Sequence, residues 1–289
     1  MRVLNLKQNQ SLPPEEFDAS GCFETCRVKE GEVLHLDEHL HRLEASLRTL
    51  GIRGDNFGTI PPIEKLRRSL QEAAKEVGDG YVRIAVRRWG EPRVLIHSHR
   101  GIPYTRDLFL RGISVTTVPT RQFSPEAIPA QAKHSERLAS ILARAESLAD
   151  CSFHMGKEDP KKGSGTFYGR KSSREPAEVL RVGIHGYPTE ATTSNVFLVR
   201  GGVLTTPPLW LGVLEGVTRG KVLEVARELK IAVAEIPITR HDLFNAEEAF
   251  LTNVLMGILP IREVDGRRIG TKIPGPITQR LIQTLSIQT

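Results

Sequence analysis

The chain has 289 residues, of which 39% are hydrophobic and 26% are charged, and its formal net charge at neutral pH is +6. This length and composition are typical of a globular protein with two domains, and no apolar run is long enough to cross a bilayer. The modest positive charge favours small anionic ligands, and no basic stripe interleaved with aromatic residues indicates binding to nucleic acid.

The N-terminal segment lacks the apolar block of a signal peptide, so we expect a cytoplasmic protein without a membrane partner. Cys22 and Cys26 lie close together in the sequence, but no second cysteine pair accompanies them. We therefore expect buried free thiols and no bound metal.

Residues 36–51 have the pattern of an amphipathic helix, with Asp37 as the predicted N-cap and Gly51 as the stop. Leucines recur at helical spacing on one face, at Leu40, Leu43, Leu47 and Leu50. A different face of the same helix carries His39, Arg42 and Ser46. The spacing therefore predicts that these three polar side chains lie together.

The rest of the N-terminal half reads as a small α+β domain. We predict a helix at 63–77 and Val-, Ile- and Thr-rich strands within 81–98 and at 113–118. Three prolines then interrupt residues 119–130. We accordingly place the small domain at 1–120 and an interdomain linker at 121–130.

The C-terminal half, residues 131–289, is predicted to be a larger, strand-rich domain. A helix follows Lys133, with Leu138, Ile141, Leu142 and Ala145 on one face. A stretch rich in Gly, Lys and Ser at about 150–175 predicts an inserted loop. The predicted strands are 179–182, 195–199, 249–253 and 258–264, and the further helices are 218–230 and 276–286.

Two side chains in this half have chemistry that depends on burial. Lys133 lies between a linker and a helix, where a desolvated lysine beside other cations becomes a nucleophile, whereas an exposed one does nothing. Glu190 lies in a strand-like segment that also contains Asn195. A half-buried carboxylate there needs a partner, and a solvent-facing one does not.

Two further features could bind an anion. The segment L-E-G-V-T-R at 214–219 opens a helix after a glycine, and free N–H groups at a helix start bind phosphate. Arg42 lies off the leucine stripe of its helix, and a guanidinium holds phosphate through parallel hydrogen bonds. An ordinary helix start and an exposed helical arginine are the alternatives for these two features.

Seven motifs in this order together resemble the class IV aminotransferases. They are F-E-T-C-R at 23–27, L-D-E-H-L-H-R-L at 36–43, Lys133, E-x4-N-V-F at 190–197, T-P-P at 206–208, G-V-T-R at 216–219 and A-E-E-A-F-L-T-N…L-P-I at 246–261. The family includes branched-chain and D-amino acid aminotransferases and 4-amino-4-deoxychorismate lyase. The resemblance implies the two-domain α+β fold of D-amino acid aminotransferase, a homodimer and the cofactor pyridoxal 5'-phosphate.

The resemblance also implies roles for individual residues. Lys133 would carry the cofactor as a Schiff base and move the substrate proton, and Glu190 would face the pyridine nitrogen. Arg42, Val217 and Thr218 would bind the cofactor phosphate. Asn195, Asn253 and Val254 are the further expected cofactor contacts. Val254 stands where relatives often have a hydroxyl, so only its backbone N–H could serve.

The branch of the family is less sharply indicated. K-H-S-E-R-L at 133–138 and T-N-V-L-M-G-I-L-P at 252–260 are most similar to the lyase, and Thr25 resembles a lyase residue near the leaving group. Tyr81 and Arg83, in G-Y-V-R, are similar to the substrate-binding strand of the branched-chain enzymes, and Arg87 and Arg88 are further candidates for the substrate carboxylate.

We therefore predict a lyase that releases pyruvate and 4-aminobenzoate, a folate precursor, from a small anionic amino substrate. The alternatives are an aminotransferase acting on D-amino or branched-chain amino acids, and an inactive binding subunit of the same fold.

Overall fold

The computed structural model describes residues 4–6, 21–52, 60–88, 94–135, 138–153 and 178–285. Most of the inserted loop predicted at 150–175 therefore lies outside the described residues. Two sheets, each covered by helices, organise the described part of the chain.

The N-terminal sheet has five strands in the order β1-β5-β4-β2-β3. Its strands are β1 (Leu4–Leu6), β2 (Cys22–Lys29), β3 (Glu32–Val33), β4 (Gly80–Val86) and β5 (Val94–Arg100). Helices α1 (Leu36–Thr49) and α2 (Ile63–Val77) pack on it. The leucine stripe of α1 and alternate residues of β2 and β4 form one core, in which Cys22 and Cys26 are buried as free thiols.

The C-terminal sheet has nine strands, six of which close into a ring. The strands are β6 (Ile113–Arg121), β7 (Glu178–Val182), β8 (Pro188–Ala191), β9 (Asn195–Arg200), β10 (Val203–Thr206), β11 (Val233–Glu235), β12 (Glu248–Asn253), β13 (Gly257–Val264) and β14 (Arg267–Arg268). The order is β11-β10-β9-β12-β13-β6-β7-β8, β14 pairs with β13, and β8 returns to β9. The residues that pair where β8 meets β9 are Glu190 and Asn195.

Five helices accompany this second sheet: α3 (Arg106–Arg111), α4 (Leu138–Phe153), α5 (Val217–Glu228), α6 (Arg240–Phe244) and α7 (Pro276–Thr284). The apolar cores on this side contain residues from 108 onwards and share none with the N-terminal core. The two sheets therefore pack against separate cores, and the division of the chain at 121–130 stays a prediction.

One strand lies in a different sheet from the one that the sequence suggested. The sequence pattern places the strand at 113–118 in the small domain, but β6 pairs in parallel with β7 and β13 of the larger sheet. Its alternating apolar residues would suit either sheet, and only the pairing with distant strands decides between them. The small sheet therefore ends at β5.

Two details of the helices also differ from the prediction. Helix α1 begins at Leu36, and its N-cap is His35, in a left-handed conformation, without a side-chain cap. Asp37 instead lies in the first turn, where it pairs with Arg67 at 2.6 Å. In α4 the predicted apolar face is exposed, because Ala139 and Ala143 on the other side contact the core.

Candidate functional site

A cavity of about 340 Å³ lies where the two sheets meet. Its walls come from β2, α1 and β4 on one side and from the ring of strands and the start of α5 on the other. Most of the side chains predicted from the sequence line it: Thr25, Arg42, Arg83, Lys133, Glu190, Asn195, Val217, Thr218, Asn253 and Val254.

Lys133 is fixed to the N-terminal domain through its backbone. Its N–H donates to Ser46 Oγ of α1 at 3.0 Å, and its carbonyl accepts from the N–H of Phe23 on β2 at 3.1 Å. The Nζ atom lies 4.8 Å from the centre of the Phe23 ring. Burial, together with the charge of Arg42, lowers the pKa of Lys133 from 10.5 to about 8. Most of the amine is still protonated near physiological pH, but its neutral form is far more abundant than in an ordinary exposed lysine.

The buried carboxylate of Glu24 anchors Arg42. Glu24 accepts from Arg42 Nε and Nη2, both at 2.7 Å, and lies 2.8 Å from His39 Nδ1. Arg42 Nη1 donates to the carbonyl of Glu215 at 2.6 Å. Burial alone would raise the pKa of Glu24, but Arg42 and His39 lower it to about 2. The polar face predicted for α1 is thus confirmed, and Glu24 is an additional member of the site.

The start of α5 forms one corner of the cavity. Its N-cap is Gly216, which makes no side-chain cap, so the first N–H groups of the helix are left for a ligand. A Cβ atom on Gly216 would lie 2.1 Å from Asn195 Oδ1. Any larger residue here would therefore displace the Asn195 side chain from its place against the helix start. Arg42 reaches the same corner through Glu215.

Glu190 has a buried cationic partner that the sequence analysis did not identify. Arg181 Nη2 donates to Glu190 Oε1 at 2.8 Å, and their side chains are only 8% and 11% exposed. The other oxygen, Oε2, accepts from the N–H of Leu214 at 3.0 Å and from Asn195 Nδ2 at 3.3 Å. Burial raises the pKa of Glu190, although Arg181 opposes this.

Thr25 and Arg83 form a pair across β2 and β4. Arg83 Nε donates to Thr25 Oγ1 at 3.0 Å, and Arg83 also lies over the Phe23 ring. Tyr81, two residues earlier on β4, stacks instead on His99 and is not among the residues that line the cavity. Arg87 and Arg88 follow the end of β4 and do not line it either.

The turn after β12 closes the opposite wall. Asn253 Oδ1 accepts from the N–H groups of Leu255 and Met256, both at 2.9 Å, and its Nδ2 donates to Tyr104 Oη at 3.3 Å. Asn253 therefore shapes this wall through the backbone. Val254 lines the cavity without a hydroxyl.

The charge balance of the lining favours an anion. Among the described residues, five basic side chains and two carboxylates face the cavity: Arg42, Arg83, Lys133, Arg144, Arg181, Glu178 and Glu190. A nucleophilic amine, an anion-binding corner and a buried carboxylate thus surround one space. In the described part of the chain, no group of side chains is suited to a metal ion, and no helix is long and apolar enough to span a membrane.

The chain matches the family described as amino-transferase class IV over residues 21–153 and 170–264. It is 30% identical to a putative branched-chain-amino-acid aminotransferase of Methanocaldococcus jannaschii over 277 residues, covering 90% of this chain and 84% of that protein.

Two further relatives carry different activities in their names. A D-alanine aminotransferase of Bacillus licheniformis is 26% identical over 268 residues, covering 90% of this chain and 84% of that protein. The crystal structure of 4-amino-4-deoxychorismate lyase from Pseudomonas aeruginosa superposes with a TM-score of 0.71 at 26% identity and covers 96% of both chains. The chain therefore belongs to the class IV aminotransferases, a family of enzymes that depend on pyridoxal phosphate.

Proposed function

We propose that the cavity holds pyridoxal phosphate and that Lys133 is the residue that carries it. The residues present fit this cofactor. Three of the five N–H groups of Arg42 are used by Glu24 and Glu215, so two remain for a phosphate. The uncapped N–H groups of Val217 and Thr218 lie at the same corner, and Glu190 is the carboxylate for a ring nitrogen.

When bound, this cofactor supplies an electron sink for negative charge at the carbon that bears the substrate amine. Lys133 is the base that takes the proton from that carbon, and its pKa of about 8 suits proton transfer in both directions near neutrality. The backbone of Lys133 is held by Ser46 Oγ, which accepts from its N–H, and by the Phe23 N–H, which donates to its carbonyl. These contacts, with the Phe23 ring beside Nζ, restrict where the amine can reach.

We further propose that the reaction is elimination of pyruvate from an anionic amino substrate of the aminodeoxychorismate type. The Thr25–Arg83 pair carries this proposal. Thr25 Oγ1 accepts a hydrogen bond from Arg83, so the hydroxyl proton of Thr25 is directed away from Arg83. This buried hydroxyl lines the cavity. A hydroxyl polarised by a guanidinium is a good donor to the oxygen of a leaving group.

The elimination is redox-neutral and balanced. Lys133 takes the proton from the carbon that bears nitrogen, the bond from the adjacent carbon to the enolpyruvyl oxygen breaks, and the ring becomes aromatic. Thr25 donates a hydrogen bond to the departing oxygen, and the enol gains a proton on carbon to become pyruvate. The other product is 4-aminobenzoate.

The test is to add aminodeoxychorismate to the holoprotein and to measure pyruvate and 4-aminobenzoate together. We expect equimolar products, a rate at least about tenfold lower in Thr25→Val, and near-normal activity in Thr25→Ser, which keeps the hydroxyl. Absence of product from a protein that binds the cofactor would overturn the lyase proposal, and full activity in Thr25→Val would overturn the role proposed for Thr25.

An aminotransferase is the second candidate, favoured by the 30% identity to the Methanocaldococcus jannaschii relative over nearly the whole chain. In that case Lys133 would return the proton to the cofactor side, and an amino acid alone would change the absorption spectrum of the holoprotein. A panel of D- and L-amino acids therefore separates the two candidates. An inactive binding subunit would bind the cofactor, if at all, without either reaction.

A further inference from the structure

The guanidinium of Arg181 occupies an unusual position for a cation, in the interior beside Glu190. Arg181 lies on β7 and Glu190 on the adjacent antiparallel strand β8. The two side chains form an ion pair of 2.8 Å. An ion pair at this depth is costly to desolvate, so it needs good geometry and further hydrogen bonds.

Glu190 has those further bonds, and they use most of its capacity. A carboxylate accepts about four hydrogen bonds. Arg181 occupies one position on Oε1, and Leu214 N–H and Asn195 Nδ2 occupy two on Oε2. About one position is left for a ligand, and the negative charge of Glu190 is already balanced by Arg181.

We infer that Arg181 is a positioning residue that limits how firmly Glu190 can keep a proton on the ring nitrogen of the cofactor. The inference rests on the proposed function, in which Glu190 faces that nitrogen. A protonated ring would add a third charge to an ion pair that is already neutral. Arg42, Arg83 and Lys133 line the same cavity and add to the positive charge.

With Arg181 present, the site should therefore prefer a ring that can carry a proton less strongly than it would without Arg181. Without Arg181, the buried carboxylate would need another cation, and the ring N–H⁺ is the group placed to supply it. Burial raises the pKa of Glu190, and Arg181 opposes this effect. Removal of the arginine should therefore strengthen the hydrogen bond in which Glu190 and the ring nitrogen share a proton.

The experiment compares two ligands of the same protein: pyridoxal phosphate and its carbocyclic analogue, in which CH replaces the ring nitrogen. Both carry the aldehyde and the phosphate, so the ratio of their dissociation constants reports on the ring nitrogen alone. Equilibrium binding is measured for the wild type, Arg181→Gln and Arg181→Lys, with a thermal melt to confirm folding. Arg181→Met serves as a second neutral variant.

We expect the preference for pyridoxal phosphate over the analogue to rise at least about tenfold in Arg181→Gln and Arg181→Met. In Arg181→Lys, which keeps the charge, it should stay within about threefold of the wild type. An unchanged ratio in the neutral variants, or an equal rise in Arg181→Lys, would overturn the inference. A wild-type protein that binds neither compound would instead contradict the proposed function.

Discussion

At the scale of single residues, the site depends on two charged groups whose ionisation is changed by burial. Lys133 must be neutral to act as a nucleophile, and Glu24 must be ionised to hold Arg42. Burial disfavours the charged form of both, and the neighbouring charges decide the outcome. The shift at Lys133 should make its reactivity depend on pH, and the shift at Glu24 should make the stability of the fold depend on pH.

The pKa of Lys133 predicts its reactivity. Because folding lowers this pKa from 10.5 to about 8, the neutral fraction of the amine should be half-maximal near pH 8 and level off more than one unit above that pH. Trace labelling with an amine reagent, followed by peptide mass spectrometry, measures this. Lys221 is an internal control, since its bonds to Glu224 and Glu38 raise its pKa. Equal profiles for the two lysines would show that the site does not activate Lys133.

Glu24 predicts a loss of stability that depends on pH. Its pKa is about 2 in the folded protein against 4.5 ordinarily, so the carboxylate stabilises the fold above pH 4.5 and progressively less as pH falls towards 2. Glu24→Gln should lower the free energy of unfolding by about 3 kcal/mol at pH 7, and the difference should shrink by roughly 1 kcal/mol at pH 4. Denaturant unfolding at several pH values measures it.

The control for that prediction is Glu38→Gln, which removes a carboxylate from a half-exposed pair with Lys221. Its effect should stay below about 1 kcal/mol. If the two variants lose the same stability, or if the effect of Glu24→Gln is independent of pH, the buried network does not act as described.

The sequence alone located the reactive side chains better than it located their partners. The spacing of His39, Arg42 and Ser46 predicted their common face, because the helical period is fixed. Glu24 and Arg181 were missed for a physical reason. Both lie on strands, where the period gives the face but not what lies opposite, and their partners come from other elements. Tyr81 stacks on His99 and is not among the residues that line the cavity, so its role as a substrate contact stays a prediction.

At the scale of secondary structure, the start of α5 is the element on which anion binding depends. Gly216 brings the helix start against Asn195, and Asn195 in turn contacts Glu190 and the Leu214 carbonyl. The anion corner and the carboxylate are therefore connected through one amide side chain. A change at Gly216 should disturb both.

Gly216→Ala tests this connection. The new Cβ would meet Asn195 Oδ1 at 2.1 Å, so Asn195 must move, and we expect affinity for pyridoxal phosphate to fall about tenfold or more. Gly220→Ala, in the same helix, meets nothing within 4 Å and should keep the affinity while stabilising the helix by up to about 1 kcal/mol. Fluorescence titration compares them, and equal affinities would exclude the proposed role of the helix start.

Most helices and strands were predictable from periodicity and from glycine and proline positions. The predictions for 63–77, 195–199 and 258–264 are confirmed, the first of them at both ends. The membership of β6 in the larger sheet was not predictable, because it depends on parallel pairing with strands more than fifty residues away. The residues of a strand do not indicate which distant strand it will pair with.

For the whole molecule, the feature that stands out is an exposed apolar face of α4. Leu138, Ile141 and Leu142 are 52%, 58% and 47% exposed, and they form the apolar stripe that the sequence predicted. A stripe of this kind is more typical of an interface than of a solvated surface. Since the family resemblance implies a homodimer, we propose that a second copy of the chain covers this face.

Light scattering tests the dimer. We expect the mass of two chains for the wild type and a lower mass, at micromolar concentration, for Ile141→Lys. Ile236→Lys, at a similarly exposed residue that follows β11, should leave the mass unchanged. A monomeric wild type, or the same mass for Ile141→Lys, would contradict the proposed interface.

Reductive labelling tests whether Lys133 carries the cofactor. The protein is incubated with pyridoxal phosphate, the linkage is fixed by borohydride reduction, and the modified peptide is located by mass spectrometry. We expect stoichiometric phosphopyridoxyl modification of Lys133, and none at that peptide or elsewhere in Lys133→Ala. Modification of a different lysine, or equal labelling of Lys133→Ala, would show that the site is wrongly assigned.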